Sequence, residues 1–463
     1  MTLDPSLKHP DYLDYLPVWQ KCGDAIAGQR AIKARGKLYL PELIGHEKES
    51  NDAYLERASF FNATGRTVEG YVGMAMRKPL TLKGPEAILG WRDDITLTDE
   101  SLDDLAADCI RETLRSRPGV LVDMEVSTGP LTAAQAAALQ LRPYLTLYKA
   151  ESIINWERAR INGAYRLKNV FLQESYADDD GKLKVQIRQL SMNSGQYEQI
   201  VWREAVGKSW VEYSRVTPLK NGGPIMEIPF YPISADKPTI EVGPPPIEDL
   251  VDVNIAHYRN SADLENGVHI SGLPTAVIIG YQQPDNAGPI ALGTSTALVI
   301  PDMGATVEFL QVGSEGFSSI EKAMDRKEQH MAALGARMVA PEKKQAETAE
   351  TASIRRGGEN SVLAALVGVV SRQLTKAVTF AADWMGYETK DILVELNKDL
   401  VPWNVTFDDL AKAWSLVQQS AFSKDVFGGL LAYAEIVPDD FNYEEDQEKV
   451  VEAGPIVLPP SEA

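Results

Sequence analysis

"PEKKQAETAETASIRRGGENSVLAALVGVVSRQL", Pro341–Leu374, changes character halfway along. The first half is charge, Ala and Thr with no apolar stripe. From Leu363 onward, Leu363, Leu366, Val370, Leu374, Val378, Ala381 and Trp384 recur at three- and four-residue steps, which places them on one face of a helix running to about Trp384. Ile354 sits on the same spacing upstream, and no Pro separates the halves. Gly357-Gly358 interrupts the pattern. Two adjacent glycines each cost about 1 kcal/mol relative to Ala in a helix interior, so the pair is expected to act as a hinge, or else the helix starts after it, at Glu359. The stretch reads as an exposed polar segment feeding directly into a long buried helix.

Working back, "IEDLVDVNIAHYRNSADLENGVHI", Ile247–Ile270, follows the Gly243–Pro246 break and reads as a helix of about five or six turns. A short Gly/Pro-punctuated block comes next, with strand-like runs "TAVIIGY" and "ALVIPD", ending in "ATVEFLQV". Ser318 and Glu321 match a capping box, Ser-x-x-Glu, at the start of a second helix that carries Ile320, Met324, Met331, Leu334 and Met338. Between Ala164 and Pro232 the period is two: Leu183, Val185 and Ile187 alternate with Lys184, Gln186 and Arg188. The turn signals Asp178–Gly181, Asn193–Gly195 and Asn221–Gly223 divide this region into an antiparallel meander. The region before it, about 160 residues, reads as mostly helical with one short strand at Gly119–Val126. There, Tyr54, Ala58, Phe61, Val68, Tyr71 and Val72 fit one helix that stops at Lys78-Pro79. The fold class that follows is α+β.

Composition narrows the function. The chain has 463 residues, 44% of them hydrophobic, enough for two or three domains with real cores. Its 66 acidic and 46 basic residues give a net charge of −20, so it repels polyanions at long range and is not a simple nucleic-acid gripper. Two cysteines, Cys22 and Cys109, are too few for a disulfide scaffold or a Cys-based zinc site and suggest a reducing compartment. The N-terminus has neither a basic n-region nor an apolar h-region, so no signal peptide is expected. The longest apolar run, Val362–Val370, is about half the ~20 residues of a membrane span, and no membrane insertion is expected. The triplets at Asn62 and Asn404 match a glycosylation signal and carry no information without a secretory signal.

Candidates for chemistry are weak. "GDAIAGQR", Gly23–Arg30, has the glycine spacing of a P-loop, but Gln29 replaces the phosphate-reaching Lys and Arg30 the magnesium-holding Ser/Thr. His9, His46, His257, His269 and His330 never fall at metal-ligand spacing, so no metal or cofactor is expected. No Gly-x-Ser-x-Gly elbow is present, and no single carboxylate pair stands out as an acid/base couple. Trp156, Trp202, Trp210, Trp384, Trp403 and Trp414 lie in separate elements and read as anchors of small cores or subunit contacts.

The order helix, small insert, helix, polar segment, long helix resembles the portal proteins of tailed bacteriophages, and within them a branch known only as a phage domain of unknown function. The resemblance is carried by "RAIKARGKLYLPEL", "RPYLTLYKAESIINWERARING", "PPIEDLVDVNIAHYRNSADLENGVHISGLPTAVIIG", "MAALGARMVAPEKKQAETAETASIRRGGENSVL" and "SAFSKDVFGGLLAYAEIVPDDFNYEEDQEK", and it spans nearly the whole chain. Each piece is a soft pattern; the strength lies in their order. The resemblance implies a wing over 1–243, a first stem helix over 244–271, a clip over 272–312 and a second stem helix over 313–338. A tunnel loop over 339–350, a long wing helix and return over 351–399, and a small helical crown over 400–463 complete it. It further implies a dodecameric ring at one capsid vertex of the virion, assembled in the host cytoplasm, passing double-stranded DNA and contacting the major capsid protein, terminase and later neck/adaptor proteins, without enzymatic activity. Glu342, Lys343, Lys344, Gln345 and Glu347 would then face the DNA channel. A segment facing a moving duplex must be polar and must not bind tightly, because every neutralised phosphate adds salt-dependent affinity. Alternatives are another head or neck protein, or a soluble hydrolase-like enzyme with an unrecognised carboxylate site.

Overall fold

The computed structural model describes residues 4–125, 141–161, 163–205, 209–272, 275–280, 304, 306–310, 315–339, 362–398, 400, 406–434, 436–437 and 441–453. They form two units, Met1–Lys398 and Asp399–Ala463, and the architecture is α+β.

The first unit opens with helices α1 (Pro10–Ala27), α2 (Gln29–Ala34), α3 (Lys48–Arg57) and α4 (Ala63–Ala75). After these come strand β1 (Thr81–Lys83), helix α5 (Glu86–Leu89) and helix α6 (Leu102–Arg115). In α6 the Ser101 hydroxyl accepts from the Asp104 N–H and the Asp104 carboxylate accepts from the Ser101 N–H, a capping box that satisfies two orphan donors. Leu102, Leu105, Cys109, Ile110 and Leu114 are fully buried along one stripe.

The single helix expected across Tyr54–Lys78 is instead two, α3 and α4. Between them the Ser59 N–H donates to Ser261 Oγ at 3.1 Å and the Phe60 N–H to Gln29 Oε1 at 3.1 Å, while Asn62 Oδ1 accepts from the Gly65 N–H at 3.0 Å and caps α4. Side chains supply the partners that a helix would otherwise have to supply, so the backbone is free to turn.

The N-terminal region also contains more strand than its sequence suggests. Strands β2 (Gly119–Asp123) and β3 (Tyr144–Tyr148) pair antiparallel, and β4 (Ile153–Ile161), β5 (Ala164–Ala177), β6 (Leu183–Asn193), β7 (Gln196–Glu204) and β8 (Trp210–Val216) form a five-stranded antiparallel meander in sequence order. The meander thus begins at Ile153, before the expected Ala164, and ends at Val216. The residues after it make a small hairpin, β9 (Leu219–Lys220) with β10 (Gly223–Pro224), and the strand β11 (Phe230–Pro232), which joins β2 and β3 in the order β11-β2-β3. Tight turns fall where the sequence signalled them. Ser194 and Gly195 have φ of 50° and 81°, and Asn221 and Gly222 have φ of 51° and 77°, the left-handed values that two-residue hairpins require.

Strand β2 is buried at all five positions, with Gly119 at its start; a Cβ there would lie 2.2 Å from the Phe230 ring. Strand β11 is an edge, and its outward side is blocked: Pro232 has no N–H, and its carbonyl accepts from Gln373 Nε2 at 2.7 Å.

The chain continues through α7 (Glu248–Gly272), strands β12 (Thr275–Ile279) and β13 (Thr306–Leu310), α8 (Glu315–Val339), α9 (Val362–Trp384) and β14 (Leu393–Glu395), which pairs with β1. Helix α8 starts at Glu315, so Ser318 and Glu321 lie inside its first turns and are not its cap. Helix α9 is the centre of the unit, packing on α4, α6, α8, β2, β11 and β14. Leu363, Leu366, Val370, Leu374, Val378, Ala381 and Trp384 are all buried, as the stripe implies, and so are Val367, Val369, Ala377, Phe380 and Ala382. The buried surface is therefore wider than one face; Arg372 and Lys376 are exposed. By length and composition α9 could cross a membrane, yet most of it is buried inside the protein.

The second unit holds α10 (Phe407–Gln418), α11 (Lys424–Tyr433) and α12 (Tyr443–Ala453). Thr406 and Asp409 form a capping box on α10, and Trp414 packs against Phe427 and Tyr443 with ring centroids 5.1 and 6.2 Å apart.

Candidate functional site

Helices α7 and α8 form the most distinctive local arrangement. The first half of α7 is a core element, with Leu250, Val251, Ile255, Tyr258 and Ala262 buried at helical spacing. Polar contacts fix it to the helical body. Asn254, fully buried, accepts at Oδ1 from the Thr64 hydroxyl at 2.8 Å and the Thr64 N–H at 3.2 Å, and donates Nδ2–H to the Phe61 carbonyl at 2.8 Å. Arg259 Nε donates to the Tyr39 carbonyl at 2.8 Å, the Tyr54 hydroxyl donates to Asp263 at 2.6 Å, and Arg57 reaches Asn266 at 3.1 Å. Beyond Ala262 no residue of α7 is buried, and Val268 and Ile270 are exposed.

Helix α8 runs antiparallel to α7. His257 Nε2 lies 3.2 Å from Glu328 Oε1, and ten residues further along α7 Gly267 meets Phe317, where a Cβ would sit 2.5 Å from the ring. A side chain at 267 would displace the Phe317 ring from its seat against α7. At the body end of the pair, Met331 is buried and the Gly335 carbonyl accepts from the Tyr71 hydroxyl at 2.7 Å. Burial holds His257 below its ordinary pKa despite the Glu328 carboxylate. At the outer end β12 and β13 pair with each other, Thr275 opposite Leu310 and Ile279 opposite Thr306, and among the described residues with no other strand. Replacing Asn254 by Ala should cost about 2–4 kcal/mol, because it strands the Thr64 N–H and the Phe61 carbonyl in a dry contact; urea unfolding of the variant measures it.

Glu342, Lys343, Lys344, Gln345 and Glu347, expected to face a channel, lie outside the described residues, as do the expected hinge glycines Gly357 and Gly358. The described flanks are α8, ending at Val339, and α9, beginning at Val362. The P-loop-like stretch is not a phosphate cradle: Gly23–Ala27 belong to α1, and Gln29 is spent on the Phe60 N–H. Among the described residues no group of three or more His, Cys, Asp or Glu side chains is placed to hold a metal.

One buried charge cluster was not visible in the sequence. Arg188 on β6 donates to Glu174 at 2.7 Å, to Asp123 at 3.2 Å and to Gln199 at 2.8 Å. Gln199 also bonds Asp123 at 2.8 Å, Tyr148 donates to Glu174 at 2.5 Å, and Gln186 donates to Glu174 at 2.8 Å. Burial alone would raise the Glu174 carboxyl, but Arg188, Tyr148 and Gln186 outweigh it and hold its pKa below the ordinary value. Every group in this cluster is committed to another. It braces the β2–β3 strands against the meander and leaves no free acid or base for chemistry. It also accounts for the burial of Gln186, whereas Leu183 and Val185 on the opposite face of the strand are 80% and 45% exposed.

The family described as a domain of unknown function, DUF4055, matches residues 246–385, the span from α7 through α9. Among solved structures, the neck of an empty gene transfer agent particle is similar at 14% identity and a TM-score of 0.39, covering 80% of this chain and 89% of that one. The virion of a native gene transfer agent particle is similar at 13% identity and a TM-score of 0.38, covering 88% and 98%. No curated protein matches.

Proposed function

We propose that this chain is the portal subunit of a tailed bacteriophage. It forms a ring, expected to be dodecameric, that gives double-stranded DNA its channel at one capsid vertex and docks the terminase motor and later the neck and tail proteins, with no catalysis of its own. The observation that carries this is the antiparallel pair α7–α8. It is bolted to the body along one half and exposed along the other, closed at its outer end by the β12–β13 pair and followed in sequence by a polar segment and the central helix α9.

In this reading the helix pair is the stem, the 272–312 block is the clip, and the 339–350 segment with Glu342, Lys343, Lys344, Gln345 and Glu347 borders the DNA. Gly357-Gly358 is the hinge between that segment and α9. The net charge of −20 suits a channel wall on which a duplex slides with little attraction. Negative-stain microscopy and native mass measurement of the purified chain test the proposal: closed rings with a central opening are expected, and a monomer or dimer at all concentrations overturns it.

A further inference from the structure

Among its described residues the second unit leaves apolar side chains uncovered. Among its described residues from 406 onward only Gly428 is buried, although Trp414, Phe427 and Tyr443 pack together. Phe407 is 91% exposed, Val451 79%, Val450 57% and Val426 55%. A set of three short helices normally gains its stability by covering such faces. Each of these apolar residues has a carboxylate beside it in sequence: Phe407 next to Asp408, Val426 next to Asp425, and Val450-Val451 followed by Glu452.

Charge decides what can cover this surface. Residues 399–463 contain thirteen Asp and Glu against three Lys, half of the chain's net charge of −20 in its last 65 residues. A second copy of the same unit brings like charge against like, and nucleic acid or an anionic membrane is repelled for the same reason. We propose that the α10–α12 unit docks a cationic amphipathic segment of another protein, whose apolar side chains seat on Val450 and Val451 of α12 while its Lys and Arg meet the neighbouring Glu448 and Glu452. The apolar exposure defines the surface and the charge selects the occupant. This goes beyond the ring proposal and does not depend on it.

The test uses the full chain and a fluorescent 18-residue Leu/Lys amphipathic helical peptide as probe, with a Leu/Glu peptide of the same pattern as control. Binding of the Leu/Lys peptide alone is expected, weakening as salt rises from about 50 to 200 mM through screening. The double variant Val450→Asp with Val451→Asp should lose about tenfold or more in affinity. Glu448→Gln with Glu452→Gln should weaken binding less and flatten its salt dependence. All four residues are exposed, so these variants should keep the fold. No binding by the wild type, or equal binding by the aspartate variant, overturns the proposal. So does a change of oligomeric state in the aspartate variant with peptide binding intact, which would assign the face to a second copy.

Discussion

Replacing Arg188 by Met should destabilise the first unit by about 3–5 kcal/mol at pH 7, close to the whole stability of many domains. Among the described residues Arg188 is the one cation paired with both Asp123 and Glu174, whose side chains are 9% and 14% exposed. Met fills much the same volume, so the loss is electrostatic, not a cavity. Two carboxylates remain in a site that had been charge-compensated, and Gln199 and Tyr148 cannot neutralise them. The pH dependence has a definite sign. In the wild type the Glu174 pKa is held below its unfolded value, so its contribution is present above about pH 4.3 and is lost as pH falls through the folded pKa. In the variant, burial without the cation raises the Glu174 carboxyl, so the folded form takes up a proton more readily than the unfolded chain. The destabilisation is therefore largest near neutrality and shrinks as pH falls toward about 5. Chemical denaturation across that range measures it. A pH-independent loss would mean that the cluster acts by packing alone.

That cluster also marks where the sequence stops being readable. The turns at Asn193–Gly195 and Asn221–Gly223 were legible because left-handed backbone leaves few choices other than Gly and Asn. The helices α7 and α9 were legible because long apolar periodicity has one simple structural solution. Strand β2 was legible as the short run at Gly119–Val126, whereas its partner β3 was not, and β4 spends Glu157 on Lys168 at 2.8 Å and Asn169 at 2.7 Å across the neighbouring strand, in a run whose Glu and Arg equally suit a helix. The break between α3 and α4 is set by Ser261 and Gln29, one of them some 200 residues away, and no local signal reports it. The capping pattern misled at Ser318, where α8 begins three residues earlier. The boxes that form, Ser101–Asp104 and Thr406–Asp409, use Asp where the commoner pattern has Glu. In the candidate site the outline of two helices around an insert could be read. The contacts that fix it, Asn254 with Thr64 and His257 with Glu328, join residues too far apart in sequence to be paired by pattern.

If the chain is the portal subunit proposed above, deleting residues 272–312 and bridging α7 to α8 with a short Gly/Ser linker should leave the rest of the chain folded and ring-forming while abolishing motor docking. The physical case rests on where interactions cross the cut. Among the described residues, strands β12 and β13 pair only with each other, so their removal strands no described edge elsewhere. The helix pair keeps its own fastenings, Gly267 against Phe317, His257 against Glu328 and Tyr71 on the Gly335 carbonyl, and α7 keeps Asn254. Adjacent helix axes lie about 8–10 Å apart and an extended residue spans about 3.3–3.6 Å, so a linker of about four to six residues closes the gap without pulling on either helix. The expected result is a melting temperature within a few degrees of the full chain, rings in negative stain, and no recovery of terminase in a binding assay that recovers it with the full chain. If the whole chain unfolds, the block is part of the core and its assignment as a docking module fails. If terminase still binds the deleted ring, the motor is held elsewhere, and the exposed half of the α7–α8 pair becomes the surface to alter next.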